Sequence, residues 1–311
     1  MVAFRQFVDP PRFTPSPFGL ATVVDMPDGT GLHWDGGIIY QPNCAAGSGA
    51  GSTYDECLAI TGISGGAVPP PAAFAGTVST QARIATPFTV MQEFDCSAAI
   101  SMREAELQVR SAFASSEDWL LERSFWTGLA GGQVVVFPHL AANTNLVDQT
   151  SSAPYSVLVQ SAAVTVSGVG DTLKSPPEVL GLLEGALADC YGGIGIIHIP
   201  QVAYPSFDAW GLVHAQGPRL YTGNGNKVAV GAGYSGSSPA GAARAVDTAW
   251  VYATGNIICY RSDAPMVRAS GAQTVDRTKN TVKVIAERRY CLGWDCCHFA
   301  VQAALGVPKG T

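Results

Sequence analysis

The sequence predicts an α+β fold, in which helices and strands are segregated and do not strictly alternate. Three observations predict it. Two segments, 101–127 and 175–191, carry helical start and stop signals. Strand-like runs gather elsewhere, at 36–90, 194–199, 227–230, 249–261 and 281–292. No self-similarity appears at the roughly 20–50-residue spacing of solenoids and propellers.

Composition narrows the class. The chain has 311 residues, enough for a sizeable core in one large domain or two moderate ones. Only 14% are charged, against roughly 25% in ordinary soluble proteins. Mean hydropathy is positive, yet no apolar run approaches the ~18 residues of a membrane-spanning helix. The apolar runs Val134–Phe137 and Ile194–Ile197 are only strand-length, cut by Pro138 and His198. A chain short of charge and without a span is best reconciled by burying surface against other subunits, because obligate interfaces are apolar and charge-poor. The net charge of −6 argues against tight nonspecific nucleic-acid binding and does not exclude a wall that merely encloses DNA. The eight cysteines, at 44, 57, 96, 190, 259, 291, 296 and 297, are scattered and form no CxxC pair. Met1–Gln6 lacks a signal-peptide layout. Synthesis in a reducing cytoplasm with mostly free thiols is expected.

Residues 1–35 are rich in Pro and Gly, with Asp9-Pro10-Pro11 and Pro15-Ser16-Pro17. Proline removes backbone donors, so an extended arm with few contacts of its own is expected. Residues 36–90 read as short strands broken by loops, including the 47–52 Gly/Ser/Ala run and Pro69-Pro70-Pro71. So long a weakly structured excursion fits an intersubunit arm better than a compact monomer. Helix 101–127 starts with a capping-box pattern, Ser101-Met102-Arg103-Glu104, and stops at Gly128. Its span of roughly 40 Å is long for a compact domain. Helix 175–191 opens with Ser175-Pro176-Pro177-Glu178 and ends at Gly192-Gly193. Val179, Leu182, Leu183, Ala186, Leu187 and Cys190 give it one buried face. The 222–226 segment, Thr-Gly-Asn-Gly-Asn, is a hairpin turn before the strand 227–230. Strand 281–292 alternates at period 2, except that Ile285 falls on the polar side and predicts some cover there.

Several motifs could carry chemistry. Gly62-Ile63-Ser64-Gly65-Gly66 fits a hydrolase nucleophile elbow, but Pro69-Pro70-Pro71 blocks the helix such an elbow needs. Gly231-Ala232-Gly233-Tyr234-Ser235-Gly236 fits G-x-G-x-x-G. A loop follows it, and its nearest acid, Asp247, comes too early for a ribose contact. Cys291, Cys296, Cys297 and His298 are four potential zinc ligands within eight residues. Neighbouring Cys296 and Cys297 on a strand would face opposite ways, so packing cysteines are the better reading. No third group orients a Cys297-His298 catalytic pair. The five histidines do not cluster with carboxylates, and Trp119, Phe125 and Trp126 read as packing aromatics. No catalytic, cofactor-binding or metal-binding residue is assigned, and no enzyme activity or cofactor is expected.

Three stretches resemble the major capsid proteins of actinobacterial tailed phages. They are Thr281–Tyr290 with Gly293-Trp294-Asp295 and Cys297–Ala300; Leu180–Glu184 with Gly192–Ile194 and His198–Pro200; and Leu220–Thr222 with Gly231–Tyr234. The resemblance spans mainly residues 100–305 and is one of run and order. It implies the tailed-phage major capsid fold, shared with encapsulins. The implied parts are an N-terminal arm (1–35), an extended β-loop (36–90), a peripheral domain (91–174) with spine helix 101–127, an axial domain (175–250), and return strands of the peripheral domain (251–311). It implies a virion protein, assembled in the host cytoplasm from hexamers and pentamers of itself into an icosahedral head around double-stranded DNA. Scaffold, portal and decoration proteins would be further partners, and no membrane is involved. Two departures stand out. No lysine precedes Lys174, so crosslinking through a loop lysine does not carry over. No charged helical scaffold segment is visible at the N-terminus. The rival readings are an encapsulin-like compartment, a tail or decoration protein, and a serine hydrolase using Ser64.

Overall fold

The computed structural model describes residues 13–14, 16–27, 34, 36–40, 82–97, 101–130, 133–134, 138–141, 157–158, 164–165, 173–263, 265–269, 275–276, 281–295 and 297–306. Ser64 and most of the 36–90 segment lie outside them.

The strands in chain order are β1 (Ile38–Tyr40), β2 (Ala82–Ala85), β3 (Pro87–Ser97), β4 (Leu129–Ala130), β5 (Gln133–Val134), β6 (Val157–Leu158), β7 (Val164–Thr165) and β8 (Ile196–Pro200). They continue with β9 (Val213–Gln216), β10 (Arg219–Thr222), β11 (Lys227–Gly231), β12 (Thr248–Thr254), β13 (Ile257–Arg261), β14 (Met266–Ala269), β15 (Val275–Asp276), β16 (Thr281–Trp294) and β17 (His298–Ala304). Two sheets carry the fold. One has seven strands in the order β7-β17-β12-β8-β11-β10-β9. The other is organised around β16, which pairs antiparallel with β3 from Pro87 to Ser97 along one edge. Along its other edge β16 pairs with β13, β14 and β15 in turn.

A helix of 26 residues, Met102–Thr127, joins the sheets. Ser101 caps it by accepting the Glu104 N–H at 3.3 Å. Gly128 ends it in the left-handed conformation (φ 70°) that a side chain resists. Its first half buries Ala105, Val109 and Phe113, spaced four apart. These pack with Phe88 and Val90 of β3 and with Val284, Ala286 and Tyr290 of β16. Glu117, midway along, accepts from Arg288 Nη1 at 2.8 Å and from the Tyr290 hydroxyl at 2.5 Å. Its last turns bury Leu121, Phe125 and Trp126 in the same core as Ile196, Ala229, Tyr252 and Ala300 of the seven-stranded sheet.

The other face of that sheet is covered by the helix Pro176–Cys190, through Val179, Leu180, Leu183 and Leu187. Glu178 closes its cap by accepting the Ser175 N–H at 2.8 Å. Sandwiched between helices, β8 is buried at every position, so it reads as a continuous apolar run with no alternation.

Several expectations need correcting. The run 249–261 is two strands in two sheets, because the chain breaks at Gly255-Asn256 and crosses over. The strand expected from Ile194 begins at Ile196, and Ile194 is 55% exposed. β12 runs across the boundary expected at 250, and the last strand, β17, lies beside it in the seven-stranded sheet. The inner end of the arm is not free of its own chain. Residues Leu20–Val23 form one helical turn with Leu20 and Val23 buried, and Val230 N–H donates to Phe18 O at 2.7 Å. Arg219 Nε donates to Thr22 O at 2.9 Å. Other expectations stand as read, including the hairpin joining β10 to β11 and the cover over Ile285, which is 9% exposed.

Two glycines give opposite expectations. A methyl at Gly233 would lie 2.3 Å from Trp119 O and 2.7 Å from Arg123 N, both backbone atoms of the long helix. Gly233→Ala should cost roughly 1–3 kcal/mol in urea unfolding. A methyl at Gly181, on the second helix, meets nothing within 4 Å. Gly181→Ala should stabilise by roughly 0.5–1 kcal/mol in the same assay.

Candidate assembly site: the junction of arm, helix and sheets

The polar centre of the molecule is Glu122, on the inner face of the long helix and 2% exposed. One carboxyl oxygen accepts the Leu20 N–H of the arm at 2.9 Å. The other accepts the Gly233 N–H at 2.9 Å. A buried carboxyl needs such donors, because burial without them is costly. Within the glycine-rich G-x-G-x-x-G stretch, the Gly233 N–H is committed to this carboxyl. Gly231 ends β11, and the loop after it brings the Gly233 N–H against Glu122. Burial pushes the Glu122 carboxyl up to about 7, against the two backbone donors that favour its charge.

Around Glu122 the aromatics of the two sheets meet. Trp126 lies edge-on to Tyr252 at 4.8 Å and close to Tyr234 at 4.7 Å, and its indole N–H donates to Ser237 Oγ at 3.0 Å. Phe125 lies edge-on to Trp294 of β16 at 5.8 Å and to His198 of β8 at 5.7 Å. Edge-on aromatic pairs add to the energy of the area they bury. His198 is fully buried, with Nδ1 at 3.2 Å from the Tyr234 hydroxyl and Nε2 at 3.0 Å from Thr254 Oγ1. Burial holds its imidazole down to about 3. Among the described residues its hydrogen-bond partners are the two hydroxyls of Tyr234 and Thr254, which suits a packed neutral ring. Sequence reasoning missed Glu122. The available signal was its position three and four residues before Phe125 and Trp126, on the same face of an amphipathic helix.

Among the described residues no group of three metal-ligating side chains comes together. Cys297 is neither a free thiol nor a strand residue. It lies between β16 and β17 with φ 62° and is disulfide-bonded to Cys190. Cys259 and Cys291 are buried free thiols, and burial pushes them up to about 12 and about 11. Among the described residues no helix is long and apolar enough to cross a membrane.

No family model matches the chain, and no curated protein is similar to it. Solved structures are. The capsid of Ralstonia phage GP4 superposes with a TM-score of 0.52 at 8% identity, over 99% of this chain and 97% of that one. The capsid of an empty GTA particle gives 0.51 at 13% identity, over 97% and 95%. The capsid of a native GTA particle gives 0.50 at 11% identity, over the same shares. The chain has the tailed-phage major capsid fold. Among the described residues, exposed apolar side chains lie on the β16 sheet, on the long helix and in loops. Met91, Glu287 and Met266 stand side by side across β3, β16 and β14, both methionines exposed. Leu107 (61% exposed) and Trp119, which carries the Arg123 guanidinium over its ring at 5.4 Å, lie on the helix. Val202, Trp210 and Ile194 are exposed on the side of the seven-stranded sheet.

Two buried groups give opposite pH dependences. His198 has its folded value depressed from 6.5, so the stability held by its neutral ring is present above 6.5 and lost as pH falls toward 3. Glu122 has its folded value raised from 4.5, so its contribution is full below 4.5 and lost as pH rises through 7. Between 4.5 and 6.5 the two trends oppose each other. In urea unfolding across pH, His198→Gln should flatten the acid-side loss. Glu122→Gln should remove the loss between 4.5 and 7, while costing roughly 1–3 kcal/mol because its amide turns N–H toward a backbone N–H.

Proposed function

We propose that this chain is a structural shell subunit: many copies associate as hexamers and pentamers into an icosahedral phage head that encloses double-stranded DNA. The observation that carries this reading is the capsid fold over nearly the whole chain. Exposed Met91, Met266, Leu107, Trp119 and Trp210 support it, since apolar surface left on a charge-poor subunit is what association buries. The net charge of −6 suits a wall that encloses DNA without gripping it.

In this reading residues 1–35 are the arm, whose inner end is anchored by Glu122 and whose remainder reaches a neighbour. Residues 36–90 are the extended loop, and 91–174 with the long helix form the peripheral domain. Residues 175–250 make the axial domain, to which β12 and β17 also contribute strands. The rest of 251–311 returns to the peripheral sheet. Scaffold, portal and decoration proteins are the expected further partners. Assembly takes place in the host cytoplasm, and the product is the virion capsid. The role is not enzymatic.

Electron microscopy of the purified chain, alone and with candidate scaffolds, tests this. Closed shells or five- and six-membered rings are expected, and particles recovered from infected cells should show the absorbance ratio of packaged DNA. Shells filled with protein would transfer the reading to an encapsulin-like compartment. A chain that stays monomeric with every scaffold would overturn it. A fluorophosphonate probe should leave Ser64 unlabelled.

A further inference from the structure

The polypeptide passes between the two sheets at two neighbouring places. One is Gly255-Asn256, between β12 and β13. The other lies between Trp294, the end of β16, and His298, the start of β17. The crossings touch: Asp295 N–H donates to Asn256 O at 2.8 Å. The C-terminal end of the second helix rests on both. The Tyr191 hydroxyl donates to Asp295 Oδ2 at 3.2 Å and accepts from Asn256 Nδ2 at 3.0 Å. Gly195, in the turn that follows, has no room for a methyl, which would lie 2.6 Å from Thr254 O. One residue before Tyr191, Cys190 bonds to Cys297, so the disulfide spans the same crossing that the polar contacts already hold.

Two features set this pair apart. Tyr191, Asp295 and Asn256 hold helix and crossing together by hydrogen bonds that do not involve the sulfurs. Cys190 is only partly buried, which leaves a route for a small oxidant, whereas Cys259 and Cys291 are buried and their high pKa values keep them protonated and unreactive.

We propose that Cys190 and Cys297 form a redox lock on the crossing between the two sheets. It is open as two thiols in a reducing cytoplasm and is closed by thiol–disulfide exchange in an oxidising medium. This rests on the reading of a shell made in the cytoplasm and released from it. The oxidant is a small-molecule disulfide. A protein thiolate attacks one of its sulfurs and expels one thiolate. The second protein thiolate then attacks the mixed disulfide and expels the other. The disulfide is reduced to two thiols, which take up the two protons lost by the cysteines, and one protein S–S bond forms.

The test is thiol trapping with N-ethylmaleimide during lysis, compared with trapping after incubation in oxidised glutathione, read by peptide mass spectrometry. Both cysteines should be alkylated in the lysate and joined after oxidation. Closure should raise the melting midpoint by roughly 5–15 °C. Dithiothreitol should reverse the shift, and Cys297→Ser should abolish it. Cys259→Ser should leave it intact. Amide exchange at 254–257 and 294–298 should slow on closure. A pair already joined in the trapped lysate would overturn the proposal, as would thiols still alkylated after oxidation or a closure that moves neither midpoint nor exchange. Dithiothreitol acts on the wild-type chain, so the result does not depend on a variant folding. The thiol count is read whether or not shells form, so its failure is distinct from a failure of the capsid reading, which microscopy reports.

Discussion

A buried carboxyl group cannot be left without donors, and in this chain that constraint falls on Glu122. Glu122 is 2% exposed and sits beside the buried Leu121, Phe125 and Trp126 on a helix whose own N–H groups are taken up within it. The donors therefore come from two remote segments, the arm at Leu20 and the glycine loop at Gly233. A glycine stands beside or at each donor. A methyl at Gly19 would lie 2.5 Å from Glu122 Oε1, and Gly233 is walled by helix backbone. A single polar group thus fixes the position of the Leu20 backbone and of the loop after β11.

The long helix converts this local arrangement into a framework. Its first half is committed to β3 and β16, and its last turns to the seven-stranded sheet, with Phe125 touching a residue of each. Both sheets are thereby tied to one rod, a strong constraint because packed interiors resist small displacements. Among the described residues, Met91, Met266, Leu107 and Trp119 stay exposed outside both cores.

Legibility in the sequence followed the range of the interactions. Helix ends were readable because caps are local: Ser101, Gly128, Ser175 and Glu178 act within four residues of themselves. The hairpin at 222–226 was readable for the same reason. Ile194 and Ile196 are chemically alike, and only the sheet decides that one is exposed and the other buried. The run 249–261 looks continuous because both halves are apolar, while the crossing at Gly255-Asn256 depends on which sheet each half joins. The arm looked unsupported because its supports, Glu122, Arg219 and Val230, lie about a hundred or more positions away.

By itself the sequence determined the α+β class, the two long helices with their ends, the hairpin, and a composition poor in charge. Those properties come from neighbours along the chain and from totals over it. The tertiary structure alone decided that G-x-G-x-x-G serves a buried glutamate, that Cys190 meets Cys297, and that the last strand joins β12. Each of these pairs residues distant in sequence, and no local pattern records which distant donor, thiol or strand edge will be the partner.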